Sequence, residues 1–595
     1  MPALTLDPIA KKNIDHWLSE EYDEATKADI RKRLGEKDPE LNDAFYTHLE
    51  FGTGGMRGIM GVGTNRMNVY TIAKATQGLA NYIHSQTPSS PSVLIGYDSR
   101  HHSKEFAETA ASVLAGNGIQ VYLYQELRPT PLVSFGCRYK HCTAAIMITA
   151  SHNPPQYNGY KVYWSDGGQV VPPHDVGIIA EFIKIETLSQ VRKKPLTDPL
   201  ITTLLEEVDD AYFKEIDKLP LYPQEMLQKG GELKIVYTSL HGTGITLMPR
   251  LLKNWGFSSV SLVEKQTVID GDFPFAPFPN PEVKATLELG IKQMQETQSD
   301  ILIATDPDAD RVGVAVLHHN EPVLINGNQM ACLCLDHILQ GPRPIPQKGA
   351  FIKTLVTTEL FRTICQHHRR PCFDVLTGFK YIAEMIRNWE ENHNPYLYIF
   401  GGEESYGYLW GTQTRDKDAI LTAGLIAEMA LMAKLKGKTL IDLLHDLWNK
   451  YGLYDEKLLS IEFPETKEGK EKMAHALDSL RNHPPATLGG IPLDTFDDYE
   501  TSLSVKVKTN QKTPLTLARS NVLIFWLEDG SKVMVRPSGT EPKVKLYCSV
   551  STRTFPDIAT GLASLQNRAD TLLGDLKRAL IQQNDHRSKQ SEQHD

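Results

Sequence analysis

The sequence predicts an α/β protein of several domains, and three observations carry that prediction. At 595 residues the chain is too long for one hydrophobic core, and roughly three to five domains are expected. Stretches such as "FAETAASVLAGNGIQVYLY" read as helix, glycine turn, strand, an alternation that argues for α/β layering. One format also recurs three times: an apolar run ends in a polar loop, in "AAIMITASHNP" at Ser151, in "DILIATDPDADR" at Asp306 and in "PYLYIFGGEESYG" at Glu403. In open α/β sheets ligands bind beyond the carboxyl ends of strands, so three such loops suggest three α/β domains facing one cleft.

Residues 9–50 interleave Glu, Asp, Lys and Arg with few apolar anchors, which predicts a solvated helical extension. Glycines cluster over 51–68, "TIAKATQGLANYI" returns to helical period, and "SVLIGYDSR" reads as a strand ending in a polar loop. Boundaries are expected near residue 205, at 323–329 and near 450, with a Pro/Gly-rich loop at "QGPRPIPQKG". The tail 583–595 has no apolar residue and is expected to be disordered.

Composition narrows the function classes. The net charge of -10 argues against nonspecific nucleic-acid binding, although local basic groups can still hold an anionic substrate. The start "MPALTLDPIAKKNIDHW" has no signal-peptide pattern, and no apolar stretch approaches a membrane span. Seven cysteines without a CxxC pair predict free buried thiols in a reducing, cytoplasmic setting.

Four motifs carry chemistry. In "DPDADR", Asp306, Asp308 and Asp310 alternate, so an extended loop projects them the same way. Crowded carboxylates need a cation, and hard oxygen ligands suit Mg²⁺ or Ca²⁺. An EF-hand is excluded because Arg311 and Leu317 stand where Gly and Glu are required. In "RPSGTEPKVKLY", Arg536 can fork onto phosphate, Ser538 and Thr540 offer hydroxyls, and Gly539 admits close backbone approach, while Lys543 and Lys545 add charge. A plain turn between two strands fits that segment too. In "FGGEESYGYLWG", Glu403 and Ser405 are spaced to face vicinal sugar hydroxyls; a loop with incidental acids reads as well. In "TASHNP", Ser151 is a weak nucleophile without a base or metal, and no lipase-type G-x-S-x-G is present. The bland reading is a capped turn. Lys161 follows within the same stretch and could meet a phosphate on Ser151. "GTGGMRG" lacks the P-loop ending, but Arg57 could still meet a phosphate.

These loops, in this order, resemble the α-D-phosphohexomutase superfamily over about residues 45–550. The resemblance implies three related mixed-sheet α/β domains and a smaller TATA-binding-protein-like α+β C-terminal domain around a central cleft. The implied division is 1–205 (extension and phosphoserine domain), 206–325 (metal domain), 326–450 (sugar domain) and 451–582 (phosphate domain). It makes Ser151 the phosphorylated residue and Asp306, Asp308 and Asp310, with the Ser151 phosphate, the Mg²⁺ site. Glu403 and Ser405 become hydroxyl readers, Arg536, Ser538, Gly539 and Thr540 the phosphate loop, and Lys380 in "LTGFKYI" a phosphosugar contact. Arg57 matches the arginine of a "GLRG"-like turn, written "GMRG" here; Arg57, Lys161 and Arg311 would spread phosphoryl charge. The general base stays open between Lys161 and His152. "GEES" is typical of the long branch of glucose and pentose mutases, which implies exchange of glucose 1- and 6-phosphates through glucose 1,6-bisphosphate. Pentose or mannose substrates, or an inactive phosphosugar-binding protein, are the alternatives. Sugar phosphates are the expected partners, with no nucleic acid or membrane, and the chain is expected as a monomer or homodimer.

Overall fold

The computed structural model describes residues 6–19, 21–52, 55–86, 89–464, 467–538 and 543–591, without the side chains of 467–468 and 582–591. The chain forms two compact units. The first is drawn from residues 1–330, 337–350 and 379–440, and the second from 331–336, 351–378 and 441–595.

In the first unit, six strands form a mixed sheet: β1 (Gly55–Ile59), β2 (Ser92–Tyr97), β3 (Gln120–Tyr124), β4 (Ala144–Ile148), β5 (Tyr157–Trp164) and β6 (Ile201–Leu204), in the order β1-β5-β4-β2-β3-β6. A second sheet holds β7 (Ile235–Thr238), β8 (Val260–Leu262), β9 (Ile301–Thr305), β10 (Val312–His318) and β11 (Glu321–Ile325), in the order β11-β10-β9-β7-β8. Every residue of β4 and of β9 is buried, which is why both read as unbroken apolar runs rather than alternating ones. Each also has the same neighbours. β4 lies between antiparallel β5 and parallel β2, and β9 between antiparallel β10 and parallel β7. The recurring sequence format is therefore a recurring topology, and it delivers Ser151 and Asp306 from equivalent strand ends. The third loop, residues 403–407, joins the antiparallel strands Leu397–Gly402 and Tyr408–Trp410.

The N-terminal segment corrects the expectation of a solvated extension. Helices Pro8–Trp17, Glu24–Glu36 and Glu40–Phe45 form there. They close a core of their own from Ala10, Ile14, Trp17, Tyr22, Ile30, Leu41, Ala44 and Phe45, with Tyr70 packed against it. The anchors are few, but six of them are aromatic or large aliphatic groups that gather from three helices and the turn at Tyr22; pattern counting along one helix misses that. Trp17 stacks on Tyr22 at 4.4 Å and meets Phe45 edge-on at 5.4 Å. Trp17→Ala is expected to cost about 3 kcal/mol and to make residues 8–45 the first segment cut in limited proteolysis. Unchanged proteolysis would show that the packing contributes little.

The second unit is built on an antiparallel sheet ordered Leu453–Glu462, Lys543–Thr552, Lys532–Pro537, Leu523–Leu527, Ile491–Asp498, Leu503–Lys506, Gln511–Pro514. Helices Lys467–Asn482 and Ile558–Ser591 accompany it. This is the sheet-rich C-terminal domain of the expected fold. Residues 351–378 belong with it partly through buried charge: Glu359 Oε1 takes Lys353 at 3.0 Å and Lys532 at 2.6 Å. Although burial opposes its charge, the two lysines hold the Glu359 carboxyl well below the usual range. The expectation for 583–595 falls on residues whose side chains, and beyond Ser591 whose backbone, lie outside the described set. All seven cysteines are free and six are buried. No helix among the described residues is long and apolar enough to cross a membrane.

Candidate active site

Ser151 follows β4 in a tight turn that puts it at φ 52°, in the left-handed region. Its amide donates to Thr149 Oγ1 at 2.8 Å. Its hydroxyl donates to Asp306 Oδ2 at 2.9 Å and lies 3.2 Å from His152 Nδ1. The serine loop and the aspartate loop, 155 residues apart in sequence, are thus in direct contact.

The loop around Ser151 is held by a residue that motif reading passed over. Arg100 follows β2 in "YDSR", and its side chain is fully buried beside that of Asp98, with Nε 3.2 Å from Asp98 Oδ2. Nη1 donates to the carbonyls of Pro154 (2.7 Å) and Tyr157 (3.0 Å), and Nη2 to those of Ser151 (2.6 Å) and Asn153 (2.5 Å). Only the planar five-donor guanidinium can reach four carbonyls and a carboxylate at once. The Phe273 ring lies 5.0 Å from its carbon centre. The signal was present, since "SVLIGYDSR" has the same strand-then-polar-loop format as the three motifs.

Asp306, Asp308 and Asp310 are all buried, and a ligand oxygen from each lies within 4.8 Å of the others. Burial, compounded by Asp308 and Asp310, pushes the Asp306 carboxyl well above its ordinary range. Asp310 goes the other way. Burial opposes its charge, but Lys417, Lys161 and Arg311 hold it below the usual range. Lys161 Nζ sits 2.8 Å from Asp308 Oδ2 and 3.3 Å from Asp310 Oδ2. Thr130 Oγ1 donates to Asp308 Oδ2 at 2.9 Å. Two buried carboxylate oxygens, Asp308 Oδ1 and Asp310 Oδ1, have no hydrogen-bond partner. Orphaned anionic oxygens in a buried site suit a cation, and three hard donors so close together fit a small divalent metal.

The other expected residues distribute as follows. Arg57 Nη1 donates to Asn153 Oδ1 at 2.9 Å, which puts it on the serine loop. His152 is kept neutral at ordinary pH, because burial and then the positive charges of Arg311 and Arg57 depress its pKa far below the usual value. Arg311 pairs with Glu282 at 2.8 Å, a partner the motif did not suggest. Glu403 is buried at the end of its strand and lies within electrostatic reach of Arg311 and Lys417. Tyr406 O accepts from Val312 N at 3.0 Å, tying the Glu403–Ser405 loop to the strand after the aspartates. Lys417 was missed entirely. It stands 3.0 Å from Asp310 and 3.1 Å from Asp416, with the Phe379 ring at 5.5 Å. "TRDKD" carries no pattern that would have flagged it. Lys380 is the second residue of the helix Phe379–Glu391, with Asp175 and Glu384 as charged neighbours. In the second unit Arg536 pairs in register with Lys545, and Ser538 N donates to Lys543 O at 2.7 Å. Gly539 and Thr540 lie outside the described residues.

Known proteins resemble this chain in sequence and fold. The family descriptions "Phosphoglucomutase/phosphomannomutase, alpha/beta/alpha" domains I, II and III match residues 48–189, 210–319 and 326–451 in turn. A phosphoglucomutase of Staphylococcus haemolyticus is 37% identical over 527 residues, covering 87% of this chain and 92% of that one. A phosphoglucomutase of Staphylococcus aureus is 35% identical over 558 residues, covering 93% and 98%. Two solved structures share the fold. A putative phosphomannomutase of Thermus thermophilus has TM-score 0.65 at 22% identity, over 89% of this chain and 99% of that one. The open form of parafusin, a phosphoglucomutase of Paramecium, has TM-score 0.66 at 17% identity, over 90% and 96%. With its three α/β/α domains matched in order and its relatives aligned nearly end to end, the chain belongs to the phosphoglucomutase/phosphomannomutase family of phosphohexomutase enzymes.

Proposed function

We propose that the chain interconverts glucose 1-phosphate and glucose 6-phosphate, with Ser151 carrying the phosphoryl group between them. The observation that carries this is the contact of the Ser151 hydroxyl with Asp306, inside a buried group of three carboxylates and two lysines. In the first half-reaction the 6-hydroxyl of glucose 1-phosphate attacks phosphorus on phospho-Ser151. The new O–P bond forms, the Ser151 Oγ–P bond breaks, and the proton of the attacking hydroxyl leaves. Glucose 1,6-bisphosphate results. It turns over in the site, returns its 1-phosphoryl group to Ser151, and leaves as glucose 6-phosphate.

The residues divide the work. His152 lies beside the Ser151 oxygen and is placed to exchange a proton with it, although its depressed pKa makes it a weak base. Lys161, whose pKa Asp308 and Asp310 raise although burial opposes the charge, would supply positive charge beside the phosphoryl group. Arg57 and Arg311 add to that charge. Asp306, Asp308 and Asp310 would hold Mg²⁺, which when bound draws electron density from the phosphoryl oxygens. Glu403 and Ser405 would read the sugar hydroxyls in both orientations. Arg536, Ser538, Gly539 and Thr540 would grip the phosphate that is not reacting, and Lys380 would contact the phosphosugar.

The test is a comparison of initial rates on glucose 1-, mannose 1- and ribose 1-phosphates, with Mg²⁺ and a trace of glucose 1,6-bisphosphate. Glucose 1-phosphate is expected to lead by roughly tenfold or more in kcat/KM. A higher value for ribose or mannose 1-phosphate would overturn the glucose assignment. Absence of turnover on all three, with no phosphoserine found at Ser151, would overturn the mutase reading.

A further inference from the structure

Glu282 lies in "PNPEV", just ahead of the helix Lys284–Thr297, and no motif gave it a part in the chemistry. The loop that carries it is fixed in place. Pro279 and Pro281 are buried. Asn280 closes a turn: its Oδ1 accepts from Glu282 N at 3.1 Å and its carbonyl from Val283 N at 2.9 Å. Pro281 packs directly on β10. A Cβ on Gly313, two residues past Arg311, would stand 2.7 Å from Pro281 Cβ and from the Pro281 carbonyl oxygen, so only glycine admits the loop so close.

From that loop Glu282 Oε1 accepts from Arg311 Nη1 at 2.8 Å. Among the described residues this is the only hydrogen bond of the Arg311 side chain. Its Nε is buried without a hydrogen-bond partner, 3.9 Å from Asp310 Oδ1. One of five N–H donors is therefore used, and the others remain for a further acceptor. The guanidinium acts electrostatically on His152 and Arg57, which places it beside the serine loop. It also lies within electrostatic reach of Asp306 and Glu403. Without a fixed partner it has several carboxylates to turn to, and turning onto one would withdraw its donors from a phosphoryl group. Glu282 belongs to neither the metal group nor the sugar loop. The pair is part-exposed, 33% for the Glu282 side chain and 18% for that of Arg311. An ion pair so exposed adds little stability; what it fixes is direction.

We propose that Glu282 is a positioning residue: by holding Arg311 Nη1 it keeps the guanidinium turned to the phosphoryl group on Ser151, whose oxygens take the remaining donors. This rests on the mutase reading of the same site.

The experiment compares Glu282→Ala, Glu282→Gln, Arg311→Met and the double variant Glu282→Ala/Arg311→Met as full chains. The assay uses glucose 1-phosphate, Mg²⁺ and a trace of glucose 1,6-bisphosphate. Glu282→Ala is expected to lower kcat by about 10- to 100-fold, with KM within about threefold and melting within about 2 °C of the wild type. Glu282→Gln keeps an acceptor oxygen at the same reach and should recover at least about threefold of that loss. Arg311→Met should lose at least as much as Glu282→Ala. The double variant should fall no more than about twofold below Arg311→Met, because Glu282 acts only through Arg311. If Glu282→Ala fails to fold, Glu282→Met, of similar length and without the acceptor, takes its place with the same expected values. Wild-type kcat without the Glu282 carboxylate, a loss carried by KM, no recovery in Glu282→Gln, or multiplication of the two single losses would each overturn the inference and leave the mutase reading standing. A wild-type chain without turnover would overturn the mutase reading, and the inference with it.

Discussion

Ser151→Ala lowers mutase turnover by about four orders of magnitude, read as glucose 6-phosphate formed from glucose 1-phosphate by a coupled dehydrogenase. The size of the effect follows from the role: without the oxygen no phosphoserine can form, so both half-reactions stop rather than slow. Backbone strain does not explain the loss, because Ser151 itself sits at φ 52° and alanine only keeps the left-handed cost of about 1 kcal/mol that serine already carries. Glycine carries no such cost, so Ser151→Gly is a second serine-free variant in which strain plays no part. If the chemistry is as proposed, the glycine variant is as inactive as the alanine one and melts at the wild-type temperature. A serine-free variant that retained more than a few per cent of the rate would end Ser151's role as phosphoryl carrier.

Arg100→Leu is expected to cost about 3–5 kcal/mol of stability, because it leaves Asp98 charged and buried without its partner. Burial already pushes the Asp98 carboxyl upward, with Arg100 the main opposing charge. The activity loss should exceed what unfolding explains. Four carbonyls of the serine loop lose their common donor, and displacement of a reacting group by about 1 Å can cost 10²-fold. In protein still folded by circular dichroism, kcat should therefore fall at least about a hundredfold while KM changes little. Arg100→Lys should recover part of the stability, since its ammonium still pairs with Asp98, but little of the rate, since it cannot span four carbonyls. Phe273→Leu serves as the control. It removes the buried ring over Arg100, which also packs against His241, and should cost about 1 kcal/mol. Equal kcat in Arg100→Leu and the wild type would show that the serine loop holds its geometry unaided.

How much of this could be read from the chain alone depended on the range of the interaction concerned. The α/β class and the loops at Ser151, Asp306 and Glu403 were legible because an apolar run ending in a polar loop is a local pattern, set by burial of one strand and the turn that follows it. The three aspartates were legible as a metal site because alternation and like-charge crowding are properties of six consecutive residues. The tertiary structure decided the rest. It packed residues 8–45 into a core where local composition predicted a solvated face, because Trp17, Tyr22 and Phe45 come from different segments and no single-helix pattern sums them. It placed Lys417 on Asp310 and Arg100 under the serine loop, pairings that bridge distant parts of the chain. It also divided three equivalent-looking carboxylates into one pushed up by burial and then by its acidic neighbours and one held down by Lys417, Lys161 and Arg311 against its burial. A sequence names which side chains carry charge. The field each one feels is a sum over neighbours in space, and only the fold assembles those neighbours.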